Sequence, residues 1–173
     1  MRKKTEQLAL MAVLLALILI LGIVESFIPL GAGIPGIKLG LSNAVLLFAI
    51  YMLGVKEALI LMALKVTVPL LYMPSYLQTI LYSAAGSVLS MVFMLLVKRI
   101  PGMSVLGVSV TGAILHNVGQ VLMAMLILQT ESLLYYLSIL LVVGIVTGIL
   151  TGTAARLVMQ HLKLPENGRP QWR

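Results

Sequence analysis

The side chains with chemistry to offer are few, and they stand in apolar company. Lys65 lies inside the run from 57 to 72, Glu25 near the end of the run from 7 to 29, and His116-Asn117-x-x-Gln120 inside the run from 105 to 128. A glutamate, a lysine and a histidine are groups that exchange protons, and lysines beside amide side chains are groups that hold an anion. Each also has a plain structural use: a lysine that snorkels or pairs with a neighbour, a histidine hydrogen-bonded in the core. A metal site is not expected, because there is no Cys and the second histidine, His161, begins the basic tail 161–173. Nor is there any Asp, and the five Glu are scattered, so no carboxylate cluster can hold Mg²⁺ on a diphosphate. No cofactor is expected.

Depth sorts these residues. Lys65 is nine residues beyond Lys56, roughly 13 Å along a helix, and His116 is ten beyond Leu106, about 15 Å, so both lie near the middle of a bilayer. Pro69 leaves the Lys65 carbonyl without its usual helical donor. Gly112, His116 and Gln120 recur every fourth residue on one face, with Asn117 beside them. Such a face cannot look at lipid, where each unpaired polar group costs several kcal/mol, so it faces protein or a ligand. Glu25, Lys38, Asn43, Lys65, His116, Asn117 and Gln120 are expected to line a cavity opening outward beneath the Gly/Pro-rich stretch 29–38. Two lysines and a histidine against one glutamate favour a small molecule with an anionic part, and the surrounding Leu, Met and Tyr suit an apolar remainder. Acid/base work by Glu25, Lys65 and His116 on a lipid substrate is the enzymatic alternative, but counting helical rise puts Glu25 roughly 10 Å outward of His116, too far for direct proton exchange.

The elements that position these groups follow from composition. The chain has 173 residues, 61% hydrophobic and 10% charged, which excludes a water-soluble globular domain and predicts an all-α, multi-pass protein of the cell membrane. Six spans fit, at about 7–29, 39–54, 57–72, 76–98, 105–128 and 133–158, in one transmembrane domain covering 1–173. No small-x-small cleavage site follows the first apolar run, which is therefore expected to be retained. The second and third spans are short enough to be broken or shielded by neighbours. With the amino terminus inside, Arg2, Lys3, Lys4, Lys56, Lys98, Arg99, Arg156, Lys163, Arg169 and Arg173 are all cytoplasmic, which places both termini there. The net charge of +7 thus reflects topology, and no nucleic acid partner is expected. Gly144-x-x-x-Gly148-x-x-x-Gly152 and the group Ser83, Ala84, Gly86, Ser87, Ser90 are surfaces for close helix packing.

Ala9, Ala12 and Ala16 form a further small-residue stripe on the first span, a packing surface either inside or outside the bundle. Six short spans, an inside amino terminus, the string Ala12-Val13-Leu14-Leu15-Ala16 and a long outer loop after it resemble the substrate-binding S components of energy-coupling factor (ECF) vitamin transporters. More specifically, Pro35-Gly36-Ile37-Lys38-Leu39-Gly40-Leu41-Ser42-Asn43 and Gly112-Ala113-Ile114-Leu115-His116-Asn117-Val118-Gly119-Gln120 resemble the Gx transporter family, also called heptaprenyl diphosphate synthase component I. The first resemblance implies a non-enzymatic subunit that captures a vitamin-like or cofactor-precursor solute outside and releases it inward. Its implied partners are a transmembrane coupling protein, docked on Ala9, Ala12 and Ala16, and two cytoplasmic ATPases; this chain has no Gly-x-x-x-x-Gly-Lys-Ser/Thr string of its own. The alternative is a membrane-embedded component of polyprenyl diphosphate or quinone biosynthesis, non-catalytic by itself, since no aspartate-rich diphosphate motif is present. An unpowered scaffold in a membrane complex is a third possibility.

Overall fold

A computed structural model of the chain describes residues 2–28, 38–72 and 74–161; the Gly/Pro stretch 29–37 and the tail beyond 161, with Lys163, Arg169 and Arg173, lie outside the described residues. Within them every regular element is helical: α1 (Arg2–Ser26), α2 (Ser42–Met52), α3 (Val55–Tyr72), a 3₁₀ turn (Pro74–Tyr76), α4 (Leu77–Lys98), α5 (Val105–Leu128) and α6 (Leu133–His161). Four stretches, Lys4–Ser26, Pro74–Lys98, Val105–Leu128 and Leu133–His161, are long and apolar enough to cross a membrane. α3 spans 18 residues but carries Lys56, Glu57 and Lys65. The stretch 39–54 forms one helix, α2, of 11 residues, about 16 Å of rise against a hydrocarbon core of about 30 Å. The reason for its shortness is local. Gly40 and Gly54 bracket α2 with φ of 81° and 122°, a left-handed backbone that glycine adopts at little cost and that stops a helix at either end.

α5 lies between α4 and α6, antiparallel to both, and glycine sets the separation. A Cβ on Gly119 would stand 2.8 Å from the Ala85 carbonyl oxygen, and one on Gly148 would stand 2.7 Å from the Val110 Cα. The glycine stripe of α6 therefore packs inside the bundle against α5, where close backbone approach supplies the van der Waals contact that holds helices together in lipid. Ser109 and Thr151 add a hydroxyl contact of 3.2 Å across the same seam.

α1, α2 and α3 form the other half, and α2 is the most enclosed helix. Leu46, Leu47, Ala49 and Ile50 are essentially inaccessible and pack with Leu14 and Ile18 of α1, Leu61 of α3, Met91 and Met94 of α4, Val108 of α5 and Met159 of α6. A second apolar cluster of Tyr82, Val121, Ala124, Leu133 and Leu140 closes the opposite end of the bundle. Along α4, α5 and α6 the small and polar residues fall between these clusters. They form a polar layer between two greasy ones.

α1 turns Leu14, Ile18 and Glu25 inward. Ala9, Ala12 and Ala16 are exposed on the diametrically opposite side, and Val13, Leu17 and Ile20 are exposed on the flank between the two.

Candidate functional site: a buried polar cluster

The cluster is built around the start of α2. Gly40 turns the chain, and Leu41 follows in right-handed geometry (φ −56°, ψ −36°), so that successive backbone N–H groups converge as in an anion-binding nest. The Glu25 carboxylate fills that position, accepting the Leu41 N–H through Oε1. Glu25 is 3% exposed, and Lys65 and Lys38 both act on it electrostatically. Glu25 thus satisfies backbone donors that a short helix in an apolar setting would otherwise leave orphaned.

Lys65, 8% exposed on α3, donates from Nζ to Asn43 Oδ1 of α2 at 2.9 Å. Asn43 Nδ2 is buried without a partner and lies 3.0 Å from where a Cβ on Gly40 would stand. The His116 ring covers the same glycine, its Cδ2 2.8 Å from that position, and its Nδ1 is buried and unpartnered beside Gly86 of α4. A side chain on Gly40 or Gly86 would therefore collide with the imidazole.

Gln120 closes the cluster from α5. Its Oε1 accepts the Lys38 backbone N–H at 2.9 Å and its Nε2 donates to the Lys38 carbonyl at 2.8 Å, the two-point pairing a neighbouring strand would make. The Lys38 side chain runs the other way, donating from Nζ to the Gly22 carbonyl of α1 at 2.9 Å. Partial burial holds the Lys38 ammonium below the usual lysine range, while Glu25 opposes that shift.

Six of the seven expected residues, Glu25, Lys38, Asn43, Lys65, His116 and Gln120, thus come together around residues 38–43. Asn117 goes elsewhere: its Nδ2 donates to the Leu140 carbonyl at 2.7 Å, pinning α5 to α6. Glu25 and His116 are brought to the same backbone turn. Both touch the segment Gly40–Leu41, so the two side chains meet opposite sides of one turn. Helical rise separates backbone positions only, whereas the two side chains reach the same turn from α1 and α5. Gly40, Leu41 and Gly86 join the site beyond the expected residues. They contribute backbone and empty space, which residue type alone does not reveal. Ser87 and Ser90 of α4 are also buried without hydrogen-bond partners.

The opposite end of α2 has a matching arrangement. Lys98 of α4 donates from Nζ to the Ile50 carbonyl at 2.9 Å and sits 4.4 Å over the Tyr51 ring. Carboxylate at the N-terminus and ammonium at the C-terminus both complement the helix dipole.

The described residues thus define a class: all-helical, with four membrane-length helices and a charged cluster buried between two halves. Over residues 14–158 the sequence matches the family described as heptaprenyl diphosphate synthase component I, and the chain belongs to that family. No curated protein and no solved structure matches it.

Proposed function

We propose that this chain is a non-catalytic membrane subunit that holds the anionic group of a small molecule in the polar cluster and works with partner chains. The observation that carries the proposal is Lys65, an ammonium buried on a helix that runs beside membrane-length neighbours, with Lys38 and Glu25 both near enough to act on it electrostatically. A buried charge without full compensation costs several kcal/mol, and intramembrane lysines persist where they have a ligand or ion to hold.

Two versions differ in partner and cargo. The family description favours an accessory component of heptaprenyl diphosphate synthesis, in which the anionic group is a diphosphate and the catalytic aspartates belong to another chain. The exposure of Ala9, Ala12 and Ala16 on the face of α1 opposite the core favours an S component of an ECF-type importer, docked through that face on a coupling protein driven by cytoplasmic ATPases. In that version both termini are cytoplasmic and the cluster is open to the outside of the cell membrane.

Affinity purification in mild detergent followed by native mass spectrometry tests the shared proposal and separates the versions. Co-purification with a soluble prenyl synthase subunit and a bound prenyl diphosphate supports the first. Co-purification with a membrane coupling protein and ATPases, and a vitamin-sized anion, supports the second. A chain that carries no small molecule and no partner refutes both.

A further inference from the structure

We infer that the binding position for the ligand's oxyanion is the backbone nest at Gly40–Leu41, and that Glu25 occupies it as an internal stand-in which the ligand must displace. This rests on the anion-holding role proposed above and adds where the anion sits and what opposes it.

The geometry points there on three counts. The nest already accepts a carboxylate, that of Glu25 on the Leu41 N–H. The side-chain donors that would serve a larger oxyanion are beside it: Lys65 Nζ uses one hydrogen on Asn43 Oδ1, and Asn43 Nδ2, on a residue 6% exposed, has no partner and abuts Gly40. Glu25 itself comes from the last turn of α1, which ends at Ser26, so the carboxylate can leave by movement of a helix end with no core helix broken. The occupant has one negative charge, and the two lysines around it leave room for one more. A carboxylate or a phosphate group with its own backbone and Lys65 contacts fulfils the same chemistry, and self-occupancy lowers apparent affinity by the fraction of molecules with the nest free.

Binding of inorganic diphosphate and of benzoate to the detergent-purified full chain, measured by calorimetry, tests this with Glu25→Gln and Lys65→Met. The expected result is at least ~10-fold tighter binding by Glu25→Gln than by the parent chain for whichever probe binds, because the neutral amide competes poorly for the nest, and weaker binding by Lys65→Met. Preference for diphosphate over benzoate identifies a phosphate source, and the reverse a carboxylate source. If the parent binds and Lys65→Met weakens binding, but Glu25→Gln binds equally or less tightly, the stand-in role is overturned and the anion site stands. If no protein binds either probe, both fall.

Glu25→Gln removes a helix cap, so a second measurement keeps Glu25 in place. The chain has no cysteine, and spin labels on Ser26→Cys and Tyr135→Cys, both exposed, report the position of the α1 end against the start of α6. A saturating probe is expected to shift that distance distribution. An unchanged distribution overturns displacement of Glu25.

Discussion

At the scale of single residues, the cluster separates side chains that touch a ligand from those that hold the frame. Lys65→Met removes the buried ammonium and is expected to weaken binding of an anionic cargo by ~1.5–3 kcal/mol, the worth of a charged hydrogen bond; calorimetry that finds unchanged affinity assigns Lys65 a structural role only. Gly86 belongs to the frame. A Cβ there meets the His116 carbonyl oxygen and Nδ1 at 2.7 Å, and a backbone atom cannot step aside as a flexible side chain can. Gly86→Ala should therefore cost about 1–3 kcal/mol in detergent unfolding. Gly22→Ala is the contrasting case, since nothing lies within 4 Å of its Cβ position. Mid-helix alanine should leave stability unchanged or raise it by about 0.5–1 kcal/mol. Much at this scale was legible in the sequence, because a charged or amide side chain inside an apolar run has few acceptable surroundings. Asn117 shows the limit: its type demanded a partner, and only the packing of α6 decided that the partner was a backbone carbonyl.

At the scale of elements, α2 and α1 depart from independent spans in opposite ways. α2 is short and enclosed, and it is held at its ends by Glu25 and Lys98 from two other helices. The expected span, 39–54, runs through both Gly40 and Gly54, and the caps of α2 come from distant residues, Glu25 and Lys98, which no local pattern discloses. α1 is long and half uncovered. Trp at Ala12 or at Ala16 is expected to leave cargo binding intact, since both positions face away from the core. The same substitutions should abolish transport or co-purification of a docked partner, because the indole prevents close helix approach. Loss of cargo binding in a calorimetric assay would mean that this face turns inward in the working protein.

At the scale of the whole molecule, the described basic residues Lys4, Lys56, Lys98, Arg99 and Arg156 gather at one end of the bundle, and Lys38 and Lys65 stand apart from them in the polar cluster. With the basic end facing the cytoplasm, a membrane-impermeant maleimide applied to intact cells should label Tyr135→Cys and spare Met103→Cys. The reverse pattern would invert the topology and place the cluster toward the cytoplasm. Hydropathy made the number and order of helices readable, because a lipid-soluble chain must satisfy its backbone within each segment. The division into two halves with a polar layer between them was not readable. It depends on which glycines meet which helix, and a stripe such as Gly144, Gly148 and Gly152 fits many neighbours.

The pairing of Gln120 with Lys38 carries a consequence for how such a site diversifies. Gln120 recognises only main-chain atoms, so the junction between α5 and the start of α2 does not depend on which side chain residue 38 bears. A substitution at position 38 therefore removes the Nζ bond to the Gly22 carbonyl and a charge near Glu25 while leaving the Gln120 pairing in place, so a library there tests selectivity for charge or size on the same main-chain junction. Position 120 has no such latitude, since of the common residues only glutamine offers a donor and an acceptor on a stem of that length.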